Sequence, residues 1–243
     1  MTGTQISARG LTKLFGDIRA VDDLTFDVPA GRVTGFLGPN GAGKTTTLRM
    51  LLGLVRPTRG TALIGGHRYA ELLAPRRTVG AVLEATGFHP GRTGRDHLRI
   101  TAHASRIPTS RVGEVLDLVG LSRDADRRVG GYSLGMRQRL GLAAALLGDP
   151  QVLILDEPAN GLDPAGMAWL RARLRDLAAQ GCTVLISSHV LAEIAQTVDQ
   201  IVIISAGRLR YAGTLDQLGD ESLEAVFLRM TADTEGEPDA VRQ

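Results

Sequence analysis

The sequence has few of the residues that would point to a disulfide-linked, secreted or membrane-spanning protein. Among its 243 residues Cys182 is the single cysteine, which excludes an intramolecular disulfide and favours a reducing compartment. The N-terminus lacks the apolar core of a signal peptide, and no apolar run reaches the roughly 18–20 residues that a transmembrane helix needs. We therefore expect no direct insertion into a membrane.

Aromatic residues and lysines are also scarce. Aromatics make up 4% of the chain while 43% of the residues are hydrophobic, so the core must be largely aliphatic. Of 28 basic residues only Lys13 and Lys44 are lysines, which makes a lysine inside a motif informative. The formal net charge of +2 is too small to indicate a nucleic-acid partner, and we expect none.

Short apolar runs alternate with helical stretches, a pattern typical of an α/β fold with a largely parallel sheet. The predicted buried strands are Val33–Leu37, Val152–Leu155, Val184–Ile186 and Ile201–Ile204. Helices are predicted after three of them, at Lys44–Leu52, Pro164–Gln180 and Val190–Val198. Other turn-bounded runs predict a small antiparallel sheet from Ile6–Lys13, Leu24–Val28 and Thr61–Ile64.

Between the first and second of the long apolar strands lies a region with helical periodicity. Helices are predicted there at Leu98–Ala104, Val112–Val119 and Leu140–Leu147. We interpret residues 93–148 as a helical subdomain inserted into an α/β core. That core would comprise residues 1–92 and 149–222, and residues 223–243 would form a C-terminal tail.

A glycine-rich segment follows the strand Val33–Leu37. It matches the phosphate-binding pattern G-x-x-x-x-G-K-[ST] and continues by one threonine, reading Gly38, Pro39, Asn40, Gly41, Ala42, Gly43, Lys44, Thr45 and Thr46. The glycines allow backbone N–H groups to surround phosphates, the lysine adds a positive charge, and the Thr45 hydroxyl can ligate Mg²⁺. This segment predicts the core of a P-loop NTPase that binds a nucleoside triphosphate, although the motif alone does not distinguish the classes of NTPase.

Two carboxylates end the strand Val152–Leu155. A P-loop enzyme needs an acidic group at the end of a buried strand to hold its metal ion. We expect Asp156 to hold Mg²⁺ through its water shell and Glu157 to polarise the attacking water. The alternative is a strand that ends in a solvated acidic turn, which is less attractive once the phosphate-binding loop is considered.

The segment Tyr132–Arg139 reads YSLGMRQR. It resembles the signature of the nucleotide-binding subunits of ATP-binding cassette (ABC) transporters, commonly LSGGQ-x-QR, and the resemblance covers nearly the whole chain. Leu134 replaces the first glycine and Met136 replaces the glutamine, while Ser133 and Gly135 are retained. The resemblance implies that Ser133, Gly135 and Met136 face ATP bound to a second copy, in a head-to-tail homodimer that encloses two nucleotides.

The same resemblance implies roles for four further residues. Asp163 lies in the D-loop, which crosses the dimer interface, and His189 is the switch histidine that contacts the γ-phosphate. Phe15 stacks on adenine, and Glu84 replaces a glutamine that reaches Mg²⁺. The alternatives are that Phe15 belongs to the core, that His189 is an ordinary loop histidine and that Glu84 is a surface residue.

The function implied by the resemblance is ATP hydrolysis that energises transport through a separate transmembrane permease. The chain would be cytoplasmic, bound peripherally at the inner face of the membrane, with a permease segment in a groove lined by Glu84 and residues 88–95. Glu84, the signature wording and the ending Leu223–Leu228 resemble the branch that exports drugs, antibiotics or peptides. The alternatives are a soluble ABC protein of translation or DNA repair, disfavoured by the single cassette, and a P-loop kinase or GTPase, disfavoured by the signature and His189.

Overall fold

The computed structural model describes residues 3–83, 87–188, 190–219 and 221–232. The strands are β1 (Ile6–Phe15), β2 (Ile18–Val28), β3 (Val33–Leu37), β4 (Arg59–Ile64), β5 (Val79–Val82), β6 (Val152–Asp156), β7 (Thr183–Ser188), β8 (Gln200–Ser205) and β9 (Arg208–Thr214). The α-helices are α1 (Lys44–Leu51), α2 (Pro75–Thr78), α3 (Gly94–Ala104), α4 (Ser110–Leu118), α5 (Leu134–Leu146), α6 (Pro164–Ala179), α7 (Leu191–Ala195) and α8 (Leu223–Ala232).

A small antiparallel sheet forms near the N-terminus, in the order β2-β1-β4. Strand β1 pairs along both edges, so that Ile6 lies opposite Val28 on one side and Ile64 on the other. These three side chains are buried. The predicted antiparallel sheet is therefore confirmed, but β2 begins at Ile18, six residues before the predicted Leu24, because it continues directly from the turn after β1.

The larger sheet has the order β5-β6-β7-β3-β8-β9 and is parallel except for β9, which runs antiparallel to β8. Every residue of β3 is buried. Alternate side chains along the central strands enter two different apolar cores, one on each face of the sheet: Leu37 lies in one and Phe36 in the other. Burial on both faces explains why these strands are continuous apolar runs.

Helices cover both faces of this sheet. One face packs against α1 and the antiparallel sheet, and the other packs against the remaining longer helices. Helices α3, α4 and α5 lie between β5 and β6 in the chain and pack on one another through buried residues that include Leu98, Leu116 and Leu140. The predicted mixed α/β architecture with a helical insertion is confirmed.

Helix α8 occupies the start of the segment that the sequence analysis assigned to a tail. Leu223 and Val226 are buried in the core beside α7 and β8. Their spacing places both on one helical face, which accounts for the packing. The rest of the predicted tail lies outside the described residues. Across the described ranges, no helix has the length and apolar character required to span a bilayer.

Candidate active site

Three parallel strands bring the candidate residues to one edge of the larger sheet. Strand β7 lies between β6 and β3. The register aligns Ser187 of β7 with Asp156 of β6 on one side and with Phe36 of β3 on the other. Because the carboxyl ends of parallel strands meet at one edge, the glycine-rich loop after β3 faces the acidic end of β6 across β7.

The loop after β3 requires glycine at two positions in particular. A Cβ atom on Gly38 would lie 2.4 Å from the Ile204 carbonyl oxygen, and one on Gly43 would lie 2.4 Å from the Ala20 carbonyl oxygen. Gly43 also has a φ of 98°, in the left-handed region, where it begins α1. A larger residue at either place would force the loop out of this conformation.

Lys44 is folded back over the loop that precedes it. Its side chain is only 8% exposed, and its Nζ donates hydrogen bonds to the carbonyl oxygens of Gly38 (2.7 Å) and Pro39 (3.2 Å). Burial lowers the pKa of Lys44, while the nearby Glu157 and Asp156 carboxylates partly oppose this shift. The ammonium group therefore lies where an anionic ligand in the loop would stabilise its charge.

Hydrogen bonds join the loop to the acidic end of β6. The Thr45 hydroxyl donates to Asp156 Oδ2 at 2.7 Å, and the Ser187 hydroxyl donates to Asp156 Oδ1. The backbone N–H of Glu157 donates to Ser187 Oγ at 2.9 Å. Ser187 therefore orients both acidic residues, and the sequence analysis missed it, although it directly follows the predicted strand Val184–Ile186.

The paired oxygens of Thr45 and Asp156 fit a magnesium ion. Mg²⁺ prefers oxygen ligands and is commonly held by one or two protein groups, with water and phosphate oxygens completing its shell. A hydroxyl and a carboxylate oxygen 2.7 Å apart, beside a phosphate-binding loop, supply such a pair. The donor set is thus the one expected for a metal–nucleotide complex.

A pocket of about 250 Å³ combines these features. Its walls are formed by the loop, by Ala20 of β2 and by the two carboxylates, with the full lining Ala20, Asn40, Gly41, Ala42, Gly43, Lys44, Thr45, Thr46, Asp156 and Glu157. Glu157 has a φ of 49°, which is uncommon for a residue with a side chain. Such an outlier at the rim of a pocket is typical of a functional position.

The signature segment lies at the start of α5 and does not contribute to the lining of this pocket. Ser133 caps the helix, because its Oγ accepts a hydrogen bond from the Met136 N–H at 3.2 Å. The Met136 side chain is partly buried against the core. The structure therefore does not bring Ser133, Gly135 and Met136 onto the loop of the same chain, and their contact with a second copy stays a prediction.

Asp163 and Phe15 occupy defined places outside the pocket. Asp163 caps α6 by accepting a hydrogen bond from the Gly166 N–H at 2.7 Å, so it has a structural role in addition to the predicted interface role. Phe15 is 50% exposed at the end of β1, and the Lys13 Nζ lies 4.7 Å from its ring centroid. An exposed ring is available for stacking, which is compatible with the predicted contact to adenine.

Two predicted site residues, Glu84 and His189, lie outside the described residues. Their assignments therefore remain predictions. The described chain ends at residue 83 and resumes at 87, and it is described on both sides of position 189; Val82 and Ser188 are buried strand residues.

Comparison with known proteins places this geometry in a family. The family description "ABC transporter" matches residues 21–160. The bacitracin transport ATP-binding protein BcrA of Bacillus licheniformis is 46% identical over 212 residues, which cover 85% of this chain and 68% of that relative. The lantibiotic transport ATP-binding protein SrtF of Streptococcus pyogenes is 34% identical over 222 residues, which cover 91% of this chain and 95% of that relative.

A solved structure gives the same result at the level of the fold. The ATP-binding subunit of an ABC transporter superposes with a TM-score of 0.83 and 31% identity, covering 93% of this chain and 98% of that one. The phosphate-binding loop and the acidic end of β6 fall within the residues that the family description matches. This chain therefore belongs to the ABC transporter family, as an ATP-binding and ATP-hydrolysing subunit.

Proposed function

We propose that this subunit powers the export of a peptide antibiotic or a similar compound through a separate membrane permease. The observation that best supports ATP hydrolysis is a chain of hydrogen bonds beside the phosphate-binding loop. It links Thr45, Asp156, Ser187 and Glu157. Relatives named for bacitracin and lantibiotic transport support the class of substrate. The chain would act in the cytoplasm, held at the inner face of the membrane by its permease.

In this proposal each residue of the pocket has one task. The loop from Gly38 to Thr46 and the Lys44 ammonium bind the phosphates of ATP, while Thr45 and Asp156 hold Mg²⁺, whose charge stabilises the phosphoryl group being transferred. Glu157 orients and polarises the attacking water. Phe15 stacks on adenine, and Glu84 and His189 complete the metal and γ-phosphate contacts.

We also propose that two copies close around two ATP molecules. Ser133, Gly135 and Met136 of one copy would face the γ-phosphate held by the other, and Asp163 would lie at their interface. The capped N-terminus of α5 supports this arrangement, because a helix N-terminus with oriented N–H groups favours an anion. The Ser133 Oγ accepts the Met136 N–H, and its own O–H remains able to donate to a phosphate oxygen.

A groove of about 330 Å³ between β5 and the helices α3 and α5 is the proposed docking site of the permease. Phe88 and His97 meet there edge to face, with ring centroids 4.8 Å apart, and Arg76 lies on the rim. Arg95, from the segment expected to line the groove, instead donates two hydrogen bonds to Asp126 within the helical region. Arg76 is therefore a better probe of docking than Arg95.

Charge reversal in the groove tests whether this surface couples ATP hydrolysis to transport. Arg76→Glu is expected to lower drug resistance in cells by at least about tenfold, because it reverses the charge on the rim of the surface where the permease is proposed to dock, and mismatched charges weaken an interface. The basal ATPase rate of the isolated subunit should change by less than about twofold, since Arg76 does not line the pocket formed by the phosphate-binding loop. Arg77→Glu, an exposed neighbour that does not line the groove, is the matched control. Equal resistance in both variants would argue against docking here.

The burial of His97 in the groove predicts how the stability of the protein depends on pH. Burial, with Arg92 and Arg76 nearby, lowers the pKa of His97 below its ordinary value of 6.5. The unfolded state therefore binds this proton more tightly, and the free energy of unfolding falls as the pH drops through 6.5 towards the folded pKa. We expect the wild type to lose more stability than His97→Gln over this interval.

Urea unfolding at a series of pH values measures this difference. His67→Gln, a change at an exposed turn, serves as the control and should keep the wild-type profile. If wild type and His97→Gln lose stability in parallel on acidification, burial of His97 in the groove is not the cause of the pH dependence.

The proposed export function is tested in a bacitracin-sensitive strain. The chain is co-expressed with a candidate permease, and the inhibitory concentrations of bacitracin and of a lantibiotic are measured. We expect resistance to rise only when both proteins are present. Loss of that resistance in Lys44→Ala would tie it to ATP, whereas resistance that is independent of this chain would contradict the proposal.

A further inference from the structure

A leucine at the start of α5 packs directly onto a glycine in the loop after Glu157. A Cβ atom built on Gly161 would lie 2.0 Å from Leu134 Cδ2 and 2.7 Å from Leu134 Cγ. Gly161 also has a φ of 75°, which favours glycine. The Leu134 side chain therefore fills the space above the Gly161 backbone, although it is 43% exposed overall.

A hydrogen bond and a neighbouring side chain also link the same helix to the same loop. Gln138 Nε2 donates a hydrogen bond to the Asn160 carbonyl oxygen at 3.2 Å. The Leu162 methyl Cδ2 lies 3.5 Å from where a Cβ atom on Gly135 would be, which is an ordinary packing distance. Asn160 and Gly161 thus contact the first turns of α5, and the Leu162 side chain lies beside the Gly135 backbone.

The loop that receives these contacts begins at Glu157. The Asn160 N–H donates to the Glu157 carbonyl oxygen at 3.2 Å, and the Leu162 N–H donates to the Ala159 carbonyl oxygen at 3.0 Å, so the loop is a tight turn. Its first residue is tied to Ser187 through the Glu157 N–H, and its last, Asp163, caps α6. Contact with α5 therefore fixes the middle of a loop whose two ends are already held.

We propose that Leu134 is a positioning residue for ATP hydrolysis, which holds the loop from Glu157 to Asp163 in place and so orients the Glu157 carboxylate. Leu134 stands where the family signature has glycine, and a glycine there would leave the space above Gly161 empty. The inference rests on the proposed role of Glu157. It adds that the signature helix of a chain controls the geometry of that chain's own acidic residue.

Steady-state ATPase kinetics test this proposal. Leu134→Ala is expected to lower kcat by at least about fivefold, because small misplacements of a reacting group reduce rates strongly. The KM for ATP should stay within about twofold, since Leu134 does not line the pocket formed by the phosphate-binding loop. Leu134→Met, which restores the bulk, should recover kcat to within about twofold of the wild type. A merely structural role would not separate kcat from KM in this way.

A double-mutant cycle identifies the contact itself. Gly161→Ala should also lower kcat, because its new methyl group would overlap Leu134. In the double variant Leu134→Ala, Gly161→Ala that overlap is relieved, so the combined loss should be smaller than the product of the two single losses. Losses that simply multiply would overturn the proposed contact.

Controls separate this inference from the proposed function. Leu228→Ala removes a leucine of comparable exposure (58%) on α8 and should leave kcat unchanged. If Leu134→Ala keeps the wild-type kcat while Glu157→Gln is inactive, the role of Leu134 is overturned but the proposed function stands. Equal rates in the wild type and Glu157→Gln would remove the role of Glu157 and with it both proposals.

Discussion

Glu157→Gln is expected to lower the rate of ATP hydrolysis by at least about 100-fold, while the affinity for ATP changes by less than about threefold. Glutamine preserves the size and the hydrogen-bonding shape of the side chain but cannot polarise water as a carboxylate does. The phosphate contacts lie in the loop after β3, and Glu157 uses only its backbone N–H in the bond to Ser187 Oγ, so neither should change. Phosphate release and binding of a fluorescent ATP analogue measure the two effects separately.

Assembly provides a second readout of the same variant. Because ATP bound to Glu157→Gln is not consumed, it should hold two copies together, and light scattering should show a doubling of mass with ATP but not with ADP. Glu224→Gln, an exposed position on α8, is the control and should hydrolyse ATP at the wild-type rate. A Glu157→Gln variant that hydrolyses ATP normally and remains monomeric would contradict both its catalytic role and the dimer.

Lys44→Ala is expected to weaken ATP binding by at least about 100-fold. The Lys44 ammonium is buried and folded over the loop, so it acts at short range in surroundings that screen charge poorly. Without it, the loop would offer the β- and γ-phosphates its backbone dipoles but no positively charged side chain. Titration with a fluorescent ATP analogue measures the loss directly.

The matched control removes a positive charge elsewhere. Arg175→Ala lies on an exposed part of α6 and should bind ATP like the wild type. Melting temperatures of both variants establish that they are folded. Wild-type affinity in a folded Lys44→Ala protein would refute the assignment of the phosphate-binding loop.

The parts of the fold and of the site that depend on short stretches of sequence could be predicted. The central strands are buried on both faces, so β3 appears as a continuous apolar run and its predicted bounds, Val33–Leu37, are those of the structure. Strands β5 and β9 were missed for different reasons. β5 has only four residues, and β9 is a half-exposed edge strand whose register depends on pairing with β8.

Contacts that depend on strand order could not be predicted in the same way. Thr45 and Asp156 belong to recognisable motifs, so their proximity was expected. Ser187 has no motif, and its hydrogen bonds to both acidic residues follow from the position of β7 between β6 and β3. The packing of Leu134 on Gly161 likewise joins residues that are distant in sequence, and only the arrangement of α5 beside the loop reveals it.

The most direct test of the central claim is the release of phosphate from ATP by the purified wild-type chain, with Mg²⁺ and with the metal removed by a chelator. The account predicts steady release with Mg²⁺, a return to the background rate with the chelator, and background rates in Lys44→Ala and Glu157→Gln under both conditions. Metal-independent release, or release by both variants at the wild-type rate, would contradict the claim that this pocket hydrolyses ATP.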